Sequence, residues 1–126
     1  LPSEVLAAFV RSQLDHCEEI TQRRLAIWNR YHAWAESYEQ QGLLRRPTVP
    51  EHCQHNAHMY YLLRPSLDLR SAFIEQMRDS GIHCVFHYVS LHRSPAGLEY
   101  GRAHGDLRVT DTISDTLVRL PLWVGL

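Results

Sequence analysis

The sequence predicts an α+β protein in which a long N-terminal helix precedes a small three-stranded sheet with helices packed on it. Along residues 3–40, apolar side chains recur at spacings of three, four or seven, and neither proline nor glycine interrupts the chain. Residues 41–126 instead alternate short apolar runs with helical stretches bounded by proline and glycine. We therefore expect a long helix over residues 1–40 and a small α+β domain over residues 41–126.

The predicted N-terminal helix is long for a chain of this size. Ser3 is a suitable N-cap and Gly42 a suitable stop. A straight helix over this run would be about 57 Å long, whereas a compact chain of 126 residues is only about 35 Å across. The helix should therefore kink or extend beyond its own domain. An overhanging apolar stripe needs a partner, either a second subunit or a missing part of the same polypeptide.

Three short apolar runs predict the strands of the sheet. They cover residues 57–63, 82–89 and 117–122. A single predicted helix joins the first two strands, so these two are either parallel neighbours in a β-α-β unit or members of an antiparallel sheet with a strand between them.

Capping residues predict two further helices. Asp68 can cap a helix that runs to about residue 80 and stops at Gly81. Thr110 or Asp111 can cap a short helix that ends near residue 116. The segment 91–109, which contains glycine and proline, is predicted to be a loop.

Composition and charge argue against several classes of protein. The formal net charge is -1, which gives no electrostatic reason to expect a nucleic-acid or anionic-membrane partner. No apolar run approaches the roughly 18–20 residues that span a bilayer, and no signal peptide is recognisable. The cysteines, Cys17, Cys53 and Cys84, are too few and scattered for a disulfide framework. We expect a cytoplasmic protein with reduced thiols.

Lysine is absent, and all 13 basic residues are arginine. Chemistry that needs a side-chain amine therefore cannot take place within these residues alone. No glycine-rich phosphate loop is present, and Ser94 has neither a recognisable base nor an oxyanion glycine pattern nearby. We predict no catalytic residue, which indicates a part of an enzyme rather than a whole one.

The 9 histidines raise the hypothesis of a metal site. They are densest at residues 52–58 and 83–92, but neither Cys-x-x-Cys nor His-Glu-x-x-His occurs, and no spacing matches a zinc pattern. We predict no metal site. An independent, non-enzymatic module that dimerises through the long helix or binds metal through its histidines stays open as the alternative.

His87 and Tyr88 are the strongest candidates for a binding site. They lie at the end of the second predicted strand, where folds present side chains to ligands. A histidine there can hydrogen-bond a ligand or move a proton near neutral pH. The alternative is that Tyr88 packs in the core and His87 satisfies a backbone group.

Several stretches, in the same order along the chain, resemble the DegT/StrS-type family of sugar-nucleotide aminotransferases. They are residues 1–9, 13–14, 24–28, 56–61, 85–92, 94–97 and 119–122. In the family pattern His-Tyr-x-Pro-Leu-His, this chain has Ser90 in place of the proline. The family also continues past the last strand into a helix that covers the sheet. We therefore expect a domain incomplete at its C-terminus, with an uncovered face at Leu120, Leu122 and Trp123.

The resemblance implies the C-terminal small domain of a fold-type I transferase that depends on pyridoxal phosphate. The complete enzyme would move an amino group from glutamate to the 4-keto carbon of a dTDP-6-deoxyhexose. Its cofactor would be bound by a lysine in a large domain outside these residues, so this chain would supply no cofactor-binding residue and would be inactive alone. His87, Tyr88 and His92 would line the pocket for the nucleotide-sugar substrate, and the complete enzyme would be a homodimer.

Overall fold

The computed structural model describes residues 3–126, so Leu1 and Pro2 of the predicted N-terminal helix lie outside the described residues. The helices are α1 Glu4–Leu14, α2 Cys17–Gln40, α3 Leu67–Asp79, α4 Pro95–Tyr100 and α5 Arg108–Thr116, and the strands are β1 Tyr60–Leu63, β2 Val85–Phe86 and β3 Leu117–Leu120. A 3₁₀ turn, Leu91–Arg93, lies between β2 and α4. The predicted α+β fold with a three-stranded sheet is confirmed.

The predicted N-terminal helix is interrupted between α1 and α2. The N–H of His16 donates to the carbonyl of Gln13, 3.2 Å away and only three residues back. This tighter turn ends the first helix without a proline or glycine. α1 buries none of its residues. The predicted helix is thus interrupted, and its first part lies outside the core. No helix among residues 3–126 is long and apolar enough to cross a lipid bilayer.

β3 is the central strand of the sheet and runs antiparallel to both of its neighbours, in the order β1-β3-β2. Tyr60 of β1 is opposite Leu120, and Val85 of β2 is opposite Arg119. β1 and β2 therefore point the same way without touching. This confirms the second predicted arrangement, in which a strand separates the two.

The core lies where α2 and α3 cover the sheet. Tyr60, Leu62 and Val118 are fully buried, and the ring of Trp28 on α2 meets that of Tyr60 edge-on at 5.2 Å. The other buried members are Ala35, Leu44, Ala57, Cys84 and Leu120. Partly buried side chains of α3, including Phe73 and Met77, pack against this cluster. Hydrophobic burial across α2, the sheet and α3 thus holds the chain together.

All three strands are shorter than predicted. β1 begins at Tyr60 because Ala57 adopts a φ of 50°, which is incompatible with a strand. The guanidinium of Arg24 on α2 fixes this turn by donating to the carbonyls of Ala57 and His58. β3 ends at Leu120, opposite Tyr60, where β1 begins. β2 ends at Phe86, opposite Val118, although β3 begins one residue earlier, at Leu117.

The boundaries of three helices also differ from the predictions. α3 is capped by Ser66, whose Oγ accepts from the N–H of Leu69 at 3.2 Å, and not by Asp68. α5 begins at Arg108 after Leu107, ahead of the predicted caps. α4 lies within the predicted loop and is capped by Ser94. Gly81, with a φ of 76°, ends α3 as predicted.

The face after β3 is less exposed than expected. Leu120 is buried in the core and Leu122 is partly buried against it. Trp123 alone of the three predicted residues has a mostly open side chain, with 54% of its surface exposed. The prediction of an uncovered face is wrong for Leu120, because side chains of both α2 and α3 lie around this end of the strand.

Candidate functional site

The segment after β2 presents His87 and Tyr88 at the surface. Tyr88 is 69% exposed, and its ring meets that of half-buried His87 edge-on at 4.5 Å. Nη1 of Arg119, on the central strand, donates toward Nδ1 of His87 at 3.4 Å. The alternative reading of these residues is therefore wrong: Tyr88 does not pack in the core, and His87 contacts a side chain rather than a backbone group.

The contact with Arg119 also places the proton of His87. Arginine carries donors only, so Nδ1 of the imidazole accepts and its neutral form carries hydrogen on Nε2. The ring thus has one donor free for a ligand. Together with the phenol of Tyr88, it provides two hydrogen-bonding groups that lie side by side.

These two side chains line a cavity of about 470 Å³. One wall is the segment after β2, and the opposite wall is α5 with the first residue of β3. The remaining lining residues are Val89, Ser90, Leu91, Val109, Thr110, Ile113, Ser114 and Leu117. The lining is thus mainly aliphatic, and the rings of His87 and Tyr88 belong to the segment after β2. Such a cavity can contact the carbon face of a ligand while it hydrogen-bonds the ligand's oxygens.

His92, the third predicted substrate-binding residue, is not among the residues that line this cavity. Its Nε2 lies 2.9 Å from Oδ1 of Asp111 on α5, and its side chain is 20% exposed. The two atoms are at ion-pair distance but are not aligned for a hydrogen bond. A role for His92 in binding substrate stays a prediction; its visible contact is structural.

α5 makes three more polar contacts to the segment. Ser114 Oγ donates to the carbonyl of Tyr88 at 2.6 Å, and Ser90 Oγ donates to Oδ1 of Asp111 at 3.1 Å. Arg93 Nη1 lies 3.0 Å from Oδ2 of Asp115. These contacts were not predicted. The available signal in the sequence was the spacing of residues 111, 114 and 115, which puts them on one face of α5.

The environment of Asp111 favours its charged form. Partial desolvation pushes its pKa upward, but the hydroxyl of Ser90 and the positive charges of His92 and Arg93 outweigh this and hold the pKa below its usual value. Asp111 is therefore a carboxylate at neutral pH, able to accept from several donors at once.

The histidines do not form a metal centre in the part of the chain that the structure describes. Within residues 3–126, no three His, Cys, Asp or Glu side chains are grouped where they could hold a metal ion. The dense histidine segment 52–58 instead contributes to an aromatic contact, in which the ring of His55 lies 4.5 Å from that of Trp28.

The same fold occurs in solved aminotransferases. DesV from S. venezuelae superposes with a TM-score of 0.81 at 23% identity, over 95% of this chain and 31% of that one. The PLP form of Spr1654, a putative sugar aminotransferase from Streptococcus pneumoniae, gives a TM-score of 0.81 at 22% identity, over 98% of this chain and 31% of that one. At these identities the likeness establishes the fold, which is that of one part of an aminotransferase.

The family follows from the sequence itself. The profile of the DegT/DnrJ/EryC1/StrS aminotransferase family matches residues 3–126, and the chain belongs to this family. It is also 28% identical to an uncharacterized protein of Methanocaldococcus jannaschii, over 96% of this chain and 32% of that protein. The predicted family is confirmed. The chain spans about a third of the length of these relatives.

Proposed function

We propose that this chain is the small-domain part of a pyridoxal-phosphate-dependent sugar-nucleotide aminotransferase, in which it supplies one wall of the substrate pocket. The observation that carries this proposal is the pairing of His87 with Tyr88 over an aliphatic cavity, in a chain of this family. Membership of the family supports the reaction class, and the paired rings support the role of a binding wall.

The substrate we propose is a dTDP-6-deoxyhexose whose 4-keto carbon receives an amino group from glutamate. The reaction would be that of a dTDP-4-amino-4,6-dideoxygalactose transaminase. Val109, Ile113 and Leu117 offer an aliphatic surface suited to the methyl group of a 6-deoxy sugar. The Nε2–H of His87 and the phenol of Tyr88 suit the sugar's hydroxyl and keto oxygens.

The residues of this cavity do not fit the cofactor as its primary holders. Pyridoxal phosphate supplies an electron sink for the carbon that carries the amino group, and it is bound through a lysine amine. The chain has no lysine, and no arginine lines the cavity. The chain's own task is therefore to bind and orient the sugar, and we assign the cofactor lysine to the rest of the complete polypeptide.

The exposed apolar side of α1 supports this division. Val5 and Phe9 expose 81% and 65% of their surfaces. Apolar exposure of this kind is unfavourable for a helix surrounded by solvent. We propose that this helix packs against the remaining part of the parent enzyme, which acts as a homodimer in the cytoplasm. A metal-binding module finds no support in the grouping of the described side chains.

Borohydride reduction is expected to place the cofactor outside these residues. The complete polypeptide, incubated with pyridoxal phosphate and reduced, should carry one adduct on a lysine that precedes or follows residues 1–126, because these residues contain no side-chain amine. Mass spectrometry of proteolytic peptides locates it. This chain treated in the same way serves as the control, with modification of its α-amino group as background. A stoichiometric side-chain adduct within residues 1–126 would overturn the assignment.

Tyr88→Phe in the complete enzyme is expected to lower kcat/KM for the keto-sugar about five- to tenfold. This corresponds to one lost hydrogen bond of about 1–1.5 kcal/mol. The loss should be in binding the sugar, because the exposed phenol makes no hydrogen bond within the described residues. Tyr100→Phe is the matched control, since Tyr100 is 80% exposed and does not line the cavity. Equal kinetics for the two variants would remove Tyr88 from the pocket.

A further inference from the structure

One face of α5 holds the segment that carries the candidate binding residues. Asp111, Ser114 and Asp115 follow one another at the helical spacings that place side chains on a common face. Each contacts a different part of residues 88–93, through a backbone carbonyl, a hydroxyl or a guanidinium. The segment makes no strand pairing beyond Phe86, so these side-chain contacts replace a ladder of backbone bonds.

Asp111 makes the largest number of these contacts. Its Oδ1 accepts from Ser90 Oγ at 3.1 Å, and lies 2.9 Å from Nε2 of His92 and 3.5 Å from Nη1 of Arg93. Ser90 is buried, with 8% of its surface exposed, so its hydroxyl depends on this one acceptor. A buried hydroxyl left without a partner is costly. Removing the carboxylate would therefore leave the Ser90 hydroxyl without an acceptor and take one charged contact from His92 and one from Arg93, which keeps its contact with Asp115 at 3.0 Å.

We propose that Asp111 is a positioning residue of the substrate pocket: by holding Ser90, His92 and Arg93 it fixes the path of the backbone on which His87 and Tyr88 stand. This inference rests on the proposed function, in which those two rings bind the sugar. The coupling is direct, because Tyr88 is separated from Ser90 by a single residue and its carbonyl is bonded to Ser114 of the same helix. A displaced segment would turn both rings relative to α5, which forms the opposite wall of the cavity.

The backbone of Ser90 provides a way to restore the restraint without the carboxylate. Its φ is -58°, close to the value that a proline ring imposes. Within residues 3–126, its N–H donates no hydrogen bond that proline would remove. Ser90→Pro should therefore fix the backbone at residue 90 covalently, where the hydrogen bond to Asp111 now restrains it. The substitution also removes the hydroxyl, so no buried donor is left without a partner.

The first experiment follows amide hydrogen exchange of Arg93 and Ser94 in the complete enzyme, because both N–H groups donate to the carbonyl of Ser90, at 3.0 and 3.1 Å. Asp111→Ala is expected to accelerate exchange of these two amides about tenfold relative to β3, because Ser90 loses its anchor on α5. The double variant with Ser90→Pro should recover most of the protection. Asp79→Ala is the control, an exposed carboxylate at the end of α3, and should match the wild type. Should the alanine at position 111 prevent folding, Ser90→Ala breaks the same hydrogen bond from the other side.

The second experiment uses the complete enzyme. Asp111→Ala is expected to raise KM for the keto-sugar about tenfold with a smaller change in kcat, and Ser90→Pro should restore KM in the double variant. A purely structural role would lower stability without this rescue of KM. Unchanged exchange of the Arg93 and Ser94 amides would overturn the positioning role of Asp111 and leave the proposed pocket unaffected. Faster exchange with unchanged KM, while Tyr88→Phe still loses kcat/KM, would also overturn it. Unchanged kinetics for both Asp111→Ala and Tyr88→Phe would instead show that His87 and Tyr88 do not form the sugar pocket.

Discussion

Leu62→Ala is expected to lower the free energy of unfolding by about 3 kcal/mol. Leu62 has no exposed surface, and it lies opposite Val118, which is equally buried on the central strand. Truncation removes apolar contacts and leaves a cavity. β1 and β3 cannot close this cavity, since backbone hydrogen bonds fix their separation. For a chain of this size such a loss is a large part of the total stability.

Urea denaturation followed by far-ultraviolet circular dichroism measures this change as a shift of the midpoint at constant slope. Leu98→Ala is the matched control, because the same side chain on α4 is 72% exposed, and its effect should stay within about 0.5 kcal/mol. Similar losses at the two positions would show that the sheet centre is not the core.

The elements that could be predicted from the sequence are those whose signal is local. α2 followed from periodic apolar residues, and the stop of α3 from Gly81. The break at His16 has no local signal, because no proline or glycine marks it. α3 shows the limit of capping rules: Ser66 and Asp68 are both suitable caps, and only the hydrogen bond to Leu69 decides between them.

α4 was not predicted, although the sequence contains a signal for the start of a helix there. Ser94 followed by Pro95 is a typical N-cap and first helical position. The glycines at positions 97 and 101 nevertheless favoured a loop, and a helix of 6 residues is too short to show periodicity. Tertiary contact decides such cases: Gly97 allows the start of α4 to approach the 3₁₀ turn closely.

In the candidate site, too, the residues with a local sequence signal could be predicted and the contacts between distant elements could not. The position of His87 and Tyr88 at the end of a strand could be found from sequence, because it depends on the strand that they follow. Arg119 could not, since it is 32 residues from His87 and meets it only through the antiparallel pairing of β2 with β3. Asp111 was considered only as a helix cap, and its contact with Ser90 spans 21 residues. Contacts between elements of this kind depend on topology.

Gly97→Ala is expected to lower kcat/KM of the complete enzyme for the proposed keto-sugar substrate about a hundredfold, the effect of misplacing the proposed binding groups by about 1 Å. A Cβ at this position would lie 1.7 Å from the carbonyl oxygen of Leu91. No rotation of a side chain can relieve that contact, because the opposing atom belongs to the backbone. Either α4 or the 3₁₀ turn must move, and the turn follows directly on the segment that carries His87 and Tyr88.

The measurement is steady-state kinetics with the keto-sugar, with the unfolding midpoint determined on the same sample so that loss of folded protein is separated from loss of binding. Gly125→Ala is the control. There the added methyl group meets Nε1 of Trp123 at 3.3 Å, and that side chain is 54% exposed and free to turn aside. Its kinetics should equal those of the wild type. If Gly97→Ala retains full kcat/KM while the midpoint falls, the 3₁₀ turn does not control the wall of the pocket, and the movement is absorbed by α4.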